Sequence, residues 1–262
     1  MEKNIDCCFL ITSSSEKSYQ ILSKDYSAIE PPTWALLLAE STRSVGFKIK
    51  IIDANVENLE LEEIEQRILK FNPKIVCFVV YGQNVNAGTA NMSGAVHVSK
   101  FLKKKNPQMT ISFIGSHVQA LPMETLRNEK SIDFVFTNEG VYALRNILKL
   151  NKFNEENLKK INGIAFRSDK KVVITSPEKV VPNELMDKDL PGYAWDLLPF
   201  KDKPLDLYRS PMWHAEYDFE KRSPYASLQT SLGCQFKCNF CMINIINRND
   251  TDEIGIASNY SG

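Results

Sequence analysis

Short apolar, β-branched runs alternate with longer amphipathic stretches through the first 150 residues. The runs Asp6–Thr12, Lys48–Ile52, Ile75–Val80, Thr110–Ile114 and Phe134–Phe136 have strand length. Between them the spacing predicts helices over Thr33–Val45, Leu61–Phe71, Gly94–Lys105, Met123–Asn128 and Tyr142–Leu150. Gly46 ends the first helix and Asn72-Pro73 stops the second, as helix-termination chemistry requires. Strands alternating with helices predict a parallel sheet covered on both faces, here a five-stranded, doubly wound α/β domain of Rossmann-like type.

After Asn151 the pattern changes. A charged stretch through Lys159-Lys160 reads as a boundary, and 164–167 and 172–175 then form a hairpin around the polar turn 168–171. Prolines at 177, 182, 191, 199, 204 and 211 exclude long helices, so the chain to residue 222 reads as an extended connector packed by Tyr193 and Trp195. Met212-Trp213-His214-Ala215-Glu216-Tyr217 is an aromatic patch whose readings are packing against the next strand or a lid over a ligand. The units are therefore 1–150, 151–222 and 223–262.

Composition adds exclusions. Thirty-two basic and thirty-two acidic residues balance to a formal net charge of zero, which gives no bulk electrostatic reason to expect nucleic acid or membrane as a partner. The apolar run from Cys7 to Ile11 is too short for a signal peptide or a membrane span, and a cytoplasmic location follows by default. There, six cysteines read as ligands or core residues rather than disulfides. Cys7 and Cys8 are strand neighbours facing opposite ways and Cys77 lies within an apolar strand, so these three belong to the core.

The candidate chemistry lies in two places. In a doubly wound sheet, ligands bind over the carboxyl ends of the strands where strand order reverses. The loops expected there are 13–15, 81–88, 115–117 and 137–140, all small and polar. They are open to two readings, well-made turns or a seat for a bulky planar ligand. The second place is Cys234-Gln235-Phe236-Lys237-Cys238-Asn239-Phe240-Cys241, following the β-type run 225–229. Three thiolates this close can wrap one metal centre. Structural zinc requires four ligands, and the described spacing leaves only His214, twenty residues upstream of Cys234, as a fourth; three cysteines on a cubane cluster leave one iron open to an external ligand.

The Cys-x3-Cys-x-Phe-Cys segment after Thr230-Ser231-Leu232-Gly233 resembles the signature of the radical S-adenosylmethionine (SAM) superfamily. The order Pro31-Pro32, Gly46-Phe47, Ile51-Ile52-Asp53-Ala54, Ile114-Gly115-Ser116-His117 and Glu139-Gly140 is similar to the cobalamin-binding domain that precedes the radical domain in one branch of that superfamily. The segment 189–199 resembles that branch's connector, with Gly192-Tyr193 where a second proline is usual. The resemblance implies a [4Fe-4S] cluster on Cys234, Cys238 and Cys241, SAM on the open iron with Phe240 beside it, and cobalamin over Ser13, Tyr81, Gly82, Gly115, Ser116, His117, Glu139 and Gly140. It also implies a methyltransferase that cleaves SAM to a 5′-deoxyadenosyl radical, a small-molecule substrate and an electron donor such as flavodoxin or ferredoxin. No Asp precedes a His by two positions, so no His is expected beneath the cobalt. Only 223–262 would belong to a (β/α) barrel that needs on the order of 200 residues, so the barrel is expected to be incomplete. The alternative is a non-catalytic Rossmann-like binding module with a structural or vestigial cysteine site.

Overall fold

The computed structural model describes residues 4–12, 27–81, 88–169, 171–199, 203, 205–211, 219–230, 232, 233, 236, 238, 240 and 241. Its centre is a parallel sheet of β1 (Cys7–Ile11), β2 (Ile49–Asp53), β3 (Ile75–Val79), β4 (Ile111–Ile114) and β5 (Phe134–Phe136). The strands lie in the order β2-β1-β3-β4-β5, so order reverses between β1 and β3. Register is set by pairs such as Phe9 with Ile51 on one side and with Cys77 on the other.

Helices α1 (Thr33–Arg43), α2 (Leu61–Phe71), α3 (Gly88–Lys105), α4 (Ser116–Ala120), α5 (Pro122–Asn128) and α6 (Val141–Ile147) cover the two faces. Side chains alternate between the faces along each strand. Cys7, Phe9, Ile75, Cys77 and Val79 join the core under α1 and α6. Cys8, Leu10, Val76, Phe78 and Val80 join the core under α2 and α3. All three strand cysteines are fully buried, and burial pushes the Cys7 and Cys8 thiols up, which keeps them protonated and inert. Phe78 stacks on Phe113 with ring centroids 4.6 Å apart, tying β3 to β4. A reciprocal capping box of Glu60 and Glu63 starts α2, and Asn72, at φ 49°, ends it.

The hairpin does not stand apart from the sheet. Strand β6 (Ile164–Ser168) pairs antiparallel with β5, and β7 (Lys171–Ile174) pairs antiparallel with β6, giving a sheet of seven strands among the described residues. Phe166 opposite Phe134 explains the docking, since both are fully buried and extend the α1/α6 core. After α7 (Glu155–Leu158) and the hairpin, the connector runs over that same face, with α8 (Met186–Asp189) and the 3-10 turns Asn183–Leu185, Trp195–Leu197 and, later, Phe219–Arg222. Polar contacts fix it there, among them the following. Arg145 of α6 meets Asp189 at 2.7 Å and also donates to the Ser41 carbonyl. Arg43 of α1 clasps Asp196 through both terminal nitrogens, at 2.6 and 2.9 Å. Buried Tyr208 donates to Asp53 at 2.8 Å.

Candidate functional site

The carboxyl ends of β3, β4 and β5 meet in one polar floor. Tyr81 follows β3, Gly115 and Ser116 follow β4, and Asn138, Glu139 and Gly140 follow β5. Gln119 of α4 knits them together, donating from Nε2 to the Tyr81 hydroxyl and to the Asn138 carbonyl, the latter at 2.5 Å. Trp34 at the start of α1 donates to the Glu139 carbonyl at 3.1 Å and lies 5.7 Å from the Tyr81 ring. His117 falls on α4 rather than in a loop, and its Nδ1 shares a 3.0 Å hydrogen bond with the Thr89 hydroxyl of α3. Asn91 donates to the Tyr81 carbonyl at 3.3 Å.

Two glycines make this convergence possible. A Cβ on Gly115 would stand 2.1 Å from the Val80 carbonyl oxygen, so only glycine lets the ends of β3 and β4 close together. A Cβ on Gly140, at φ +85°, would stand 2.3 Å from the Ile114 side chain, and the same left-handed backbone turns the chain into α6.

The floor is close to neutral. Burial lowers the His117 pKa, against a smaller pull from Glu124, which favours the uncharged ring. Glu139 is only 9% exposed; Oε1 accepts from the Val181 amide at 2.7 Å, while Oε2 is buried without a hydrogen-bond partner among the described residues. Burial pushes its pKa up to about 8, so at neutral pH it is mainly the uncharged acid. Burial likewise raises the Tyr81 phenol. Hydroxyl, amide and neutral acid groups beside the Trp34–Tyr81 ring pair suit a ligand rich in uncharged amides, as the periphery of a corrin is, and the residues present fit cobalamin on that ground.

Of the residues expected from sequence, Tyr81, Gly115, Ser116, His117, Glu139 and Gly140 come together at this edge, while Ser13 and Gly82 lie outside the described residues. Gln119, Trp34 and Thr89 were not singled out by sequence, because an amide in a five-residue helix and an aromatic in an apolar helix carry no spacing signal.

In the cysteine loop, the Cys241 amide donates to the Cys238 carbonyl at 3.0 Å, a tight turn that brings two thiol-bearing residues together. Cys238 is exposed and Cys241 half-buried, and neither is in a disulfide. Phe240 between them is 87% exposed. Cys234 and the patch 212–217, with His214, lie outside the described residues. The pair Cys238 and Cys241 has the donor chemistry of a soft metal site, which fits an iron–sulfur cluster.

A parallel sheet ordered 2-1-3-4-5, with a neutral polar floor at its carboxyl ends, defines a Rossmann-like cofactor-binding domain. Residues 20–148 match the B12-binding domain. An uncharacterized methyltransferase of Pyrococcus horikoshii is 30% identical over 212 residues, covering 80% of this chain and 40% of that protein. The anaerobic magnesium-protoporphyrin IX monomethyl ester cyclase of Synechocystis sp. is 23% identical over 80% of this chain and 38% of its own length. The solved structure of OxsB, a cobalamin-dependent S-adenosylmethionine radical enzyme with aqua-cobalamin and S-adenosylmethionine bound, shares the fold with a TM-score of 0.61 at 18% identity, over 90% of this chain and 28% of that one. By these comparisons the chain carries a match to the B12-binding domain and is similar to proteins that include a cobalamin-dependent S-adenosylmethionine radical enzyme. It spans less than half the length of these relatives. Among the described residues no helix is long and apolar enough to cross a membrane.

Proposed function

We propose that the chain supplies the cobalamin platform and the cysteine loop of a cobalamin-dependent radical SAM methyltransferase, acting on a small molecule at a carbon or phosphorus that ordinary nucleophilic methylation does not reach. The observation that carries this reading is the B12-binding sheet in series with the Cys238–Cys241 turn. When bound, cobalamin carries the methyl group and the cluster delivers the electron that cleaves SAM. Cys234, Cys238 and Cys241 are the cluster ligands in this assignment, with Phe240 beside SAM. The ligand set for cobalamin is Ser13, Tyr81, Gly82, Gly115, Ser116, His117, Glu139 and Gly140, with Gln119 added from the structure.

Each side chain then has a defined task. Gln119 holds the Tyr81 hydroxyl and the Asn138 carbonyl in place, so the floor is ordered before a ligand arrives. Trp34 and Tyr81 form an aromatic border on one side of it. Glu139, mainly uncharged at neutral pH, keeps the floor close to neutral. His117, whose Nδ1 is engaged by Thr89, serves as a polar residue of the floor in this reading. An electron donor such as flavodoxin or ferredoxin and a reducing, cytoplasmic setting suit an iron–sulfur cluster held by thiolates.

The test is anaerobic reconstitution with iron, sulfide and cobalamin, followed by metal analysis. About four iron and four sulfide per chain, together with retained cobalamin whose spectrum lacks a protein nitrogen ligand, support the reading. One zinc per chain supports a non-catalytic binding module instead. Neither metal nor retained cobalamin would remove both.

A further inference from the structure

We infer that Tyr193 is a positioning residue for the cysteine loop, coupling the connector that is clamped to the cobalamin platform to the segment that leads into the metal ligands; this rests on the cluster assignment above. The Tyr193 hydroxyl donates to the Gln229 carbonyl at 3.2 Å and accepts from the Gln229 amide at 2.7 Å. One phenol therefore satisfies both backbone groups of a single residue, the task a neighbouring strand performs in a sheet. Gln229 stands five positions before Cys234. The same segment has a second backbone anchor, the Tyr225 amide donating to the Leu205 carbonyl at 3.2 Å.

The phenol is itself held. Its ring stacks on Trp195 with centroids 5.2 Å apart and planes at 29°. Between them the Ala194 amide reaches the Leu36 carbonyl of α1 at 3.2 Å, and next to them Asp196 is clasped by Arg43. A continuous chain of contacts thus runs from α1, whose Trp34 borders the floor, through the connector to Gln229. Gly192, at φ +138°, precedes Tyr193 with open space around it, so the backbone there is free to deliver the ring. A proline at residue 193 would supply none of these contacts.

Tyr193→Phe keeps the stacking and removes only the hydroxyl. In this chain, reconstituted anaerobically, the variant is expected to keep the wild-type thermal midpoint within a few degrees and its cobalamin retention. Amide hydrogen exchange over 225–230 is expected to rise about tenfold. The cluster's electron paramagnetic resonance signal with SAM should shift or broaden, and its half-life under a chelator should shorten at least threefold. Exchange equal to wild type overturns the tether. Faster exchange with an unaltered signal and half-life reduces it to a structural contact and overturns the positioning role. A wild-type chain that takes up no iron fails the cluster assignment itself, and is told apart from the other two outcomes because it needs no variant.

Discussion

Tyr208 Oη lies 2.8 Å from Asp53 Oδ2, joining the connector to the carboxyl end of β2 across 155 residues of sequence. Burial raises the Asp53 pKa to about 6, while the Tyr208 bond and the Val56 amide pull it back down. The phenol thus stabilises the charged form of a group that burial disfavours. Tyr208→Phe should cost about 1–3 kcal/mol at neutral pH. The loss should shrink below about pH 5, where Asp53 is protonated with or without its partner. Urea denaturation of both proteins at pH 5 and pH 7.5 checks this, and an equal loss at the two values would contradict it.

Glu139 gives a pH dependence of its own. Its folded pKa of about 8 lies above the ordinary carboxylate value of 4.5, so the folded state binds the proton more tightly than the unfolded chain. Its contribution is complete below about pH 4.5 and is lost as pH rises toward 8. Asp53 adds loss in the same direction between about pH 4 and 6. The thermal midpoint should therefore fall from pH 5.5 to 8.5. Glu139→Gln, which keeps an oxygen for the Val181 amide, should flatten most of that slope and be the more stable protein at pH 8.5.

The buried pair Arg145–Asp189 should respond asymmetrically. Burial pushes Asp189 up, yet the Tyr142 and Arg145 hydrogen bonds outweigh it and hold the carboxyl below its ordinary value. Arg145→Met strands that charge and should cost about 3–5 kcal/mol. The double change Arg145→Met, Asp189→Leu should recover most of the loss, because no unpaired ion remains. Chemical denaturation of the two variants distinguishes these outcomes.

At the proposed cofactor sites, Cys238→Ala should abolish cluster assembly while leaving cobalamin retention nearly intact. Gly115→Ala should do the reverse. Its new methyl group meets the Val80 carbonyl at 2.1 Å, so the ends of β3 and β4 must part, at about 1–3 kcal/mol. Cobalamin retention should drop at least tenfold with iron content unchanged. Parallel iron and cobalamin analysis of both variants checks the pair.

The parallel core was legible because β1 and β3 are buried on both faces and so read as unbroken apolar runs. Helix α2 was legible to the residue because its stop signal is local: Asn72 adopts the left-handed turn and Pro73 follows. Helix α3 begins at Gly88, six residues before the expected Gly94, because 88–93 show no apolar period and Asn91 is held by tertiary contact with Tyr81. The hairpin was visible, but its pairing with β5 was not, since that depends on Phe166 meeting Phe134 across the intervening helices. The cysteine loop announced itself by spacing. Gln119 and Trp34 did not, because what makes them part of the floor is which strand ends they touch.

The hairpin has one more effect, and it concerns parity. Strand β6 carries the chain away from the floor and β7 carries it back, so the polypeptide departs at the end it came from, where Val181 reaches Glu139 and Asn138 reaches the Glu178 carbonyl. Adding or trimming matched residues in both arms would change how far the sheet extends at its far end and leave that point of departure where it is. Inserting a single further strand would send the connector off the opposite end, away from everything it now clamps.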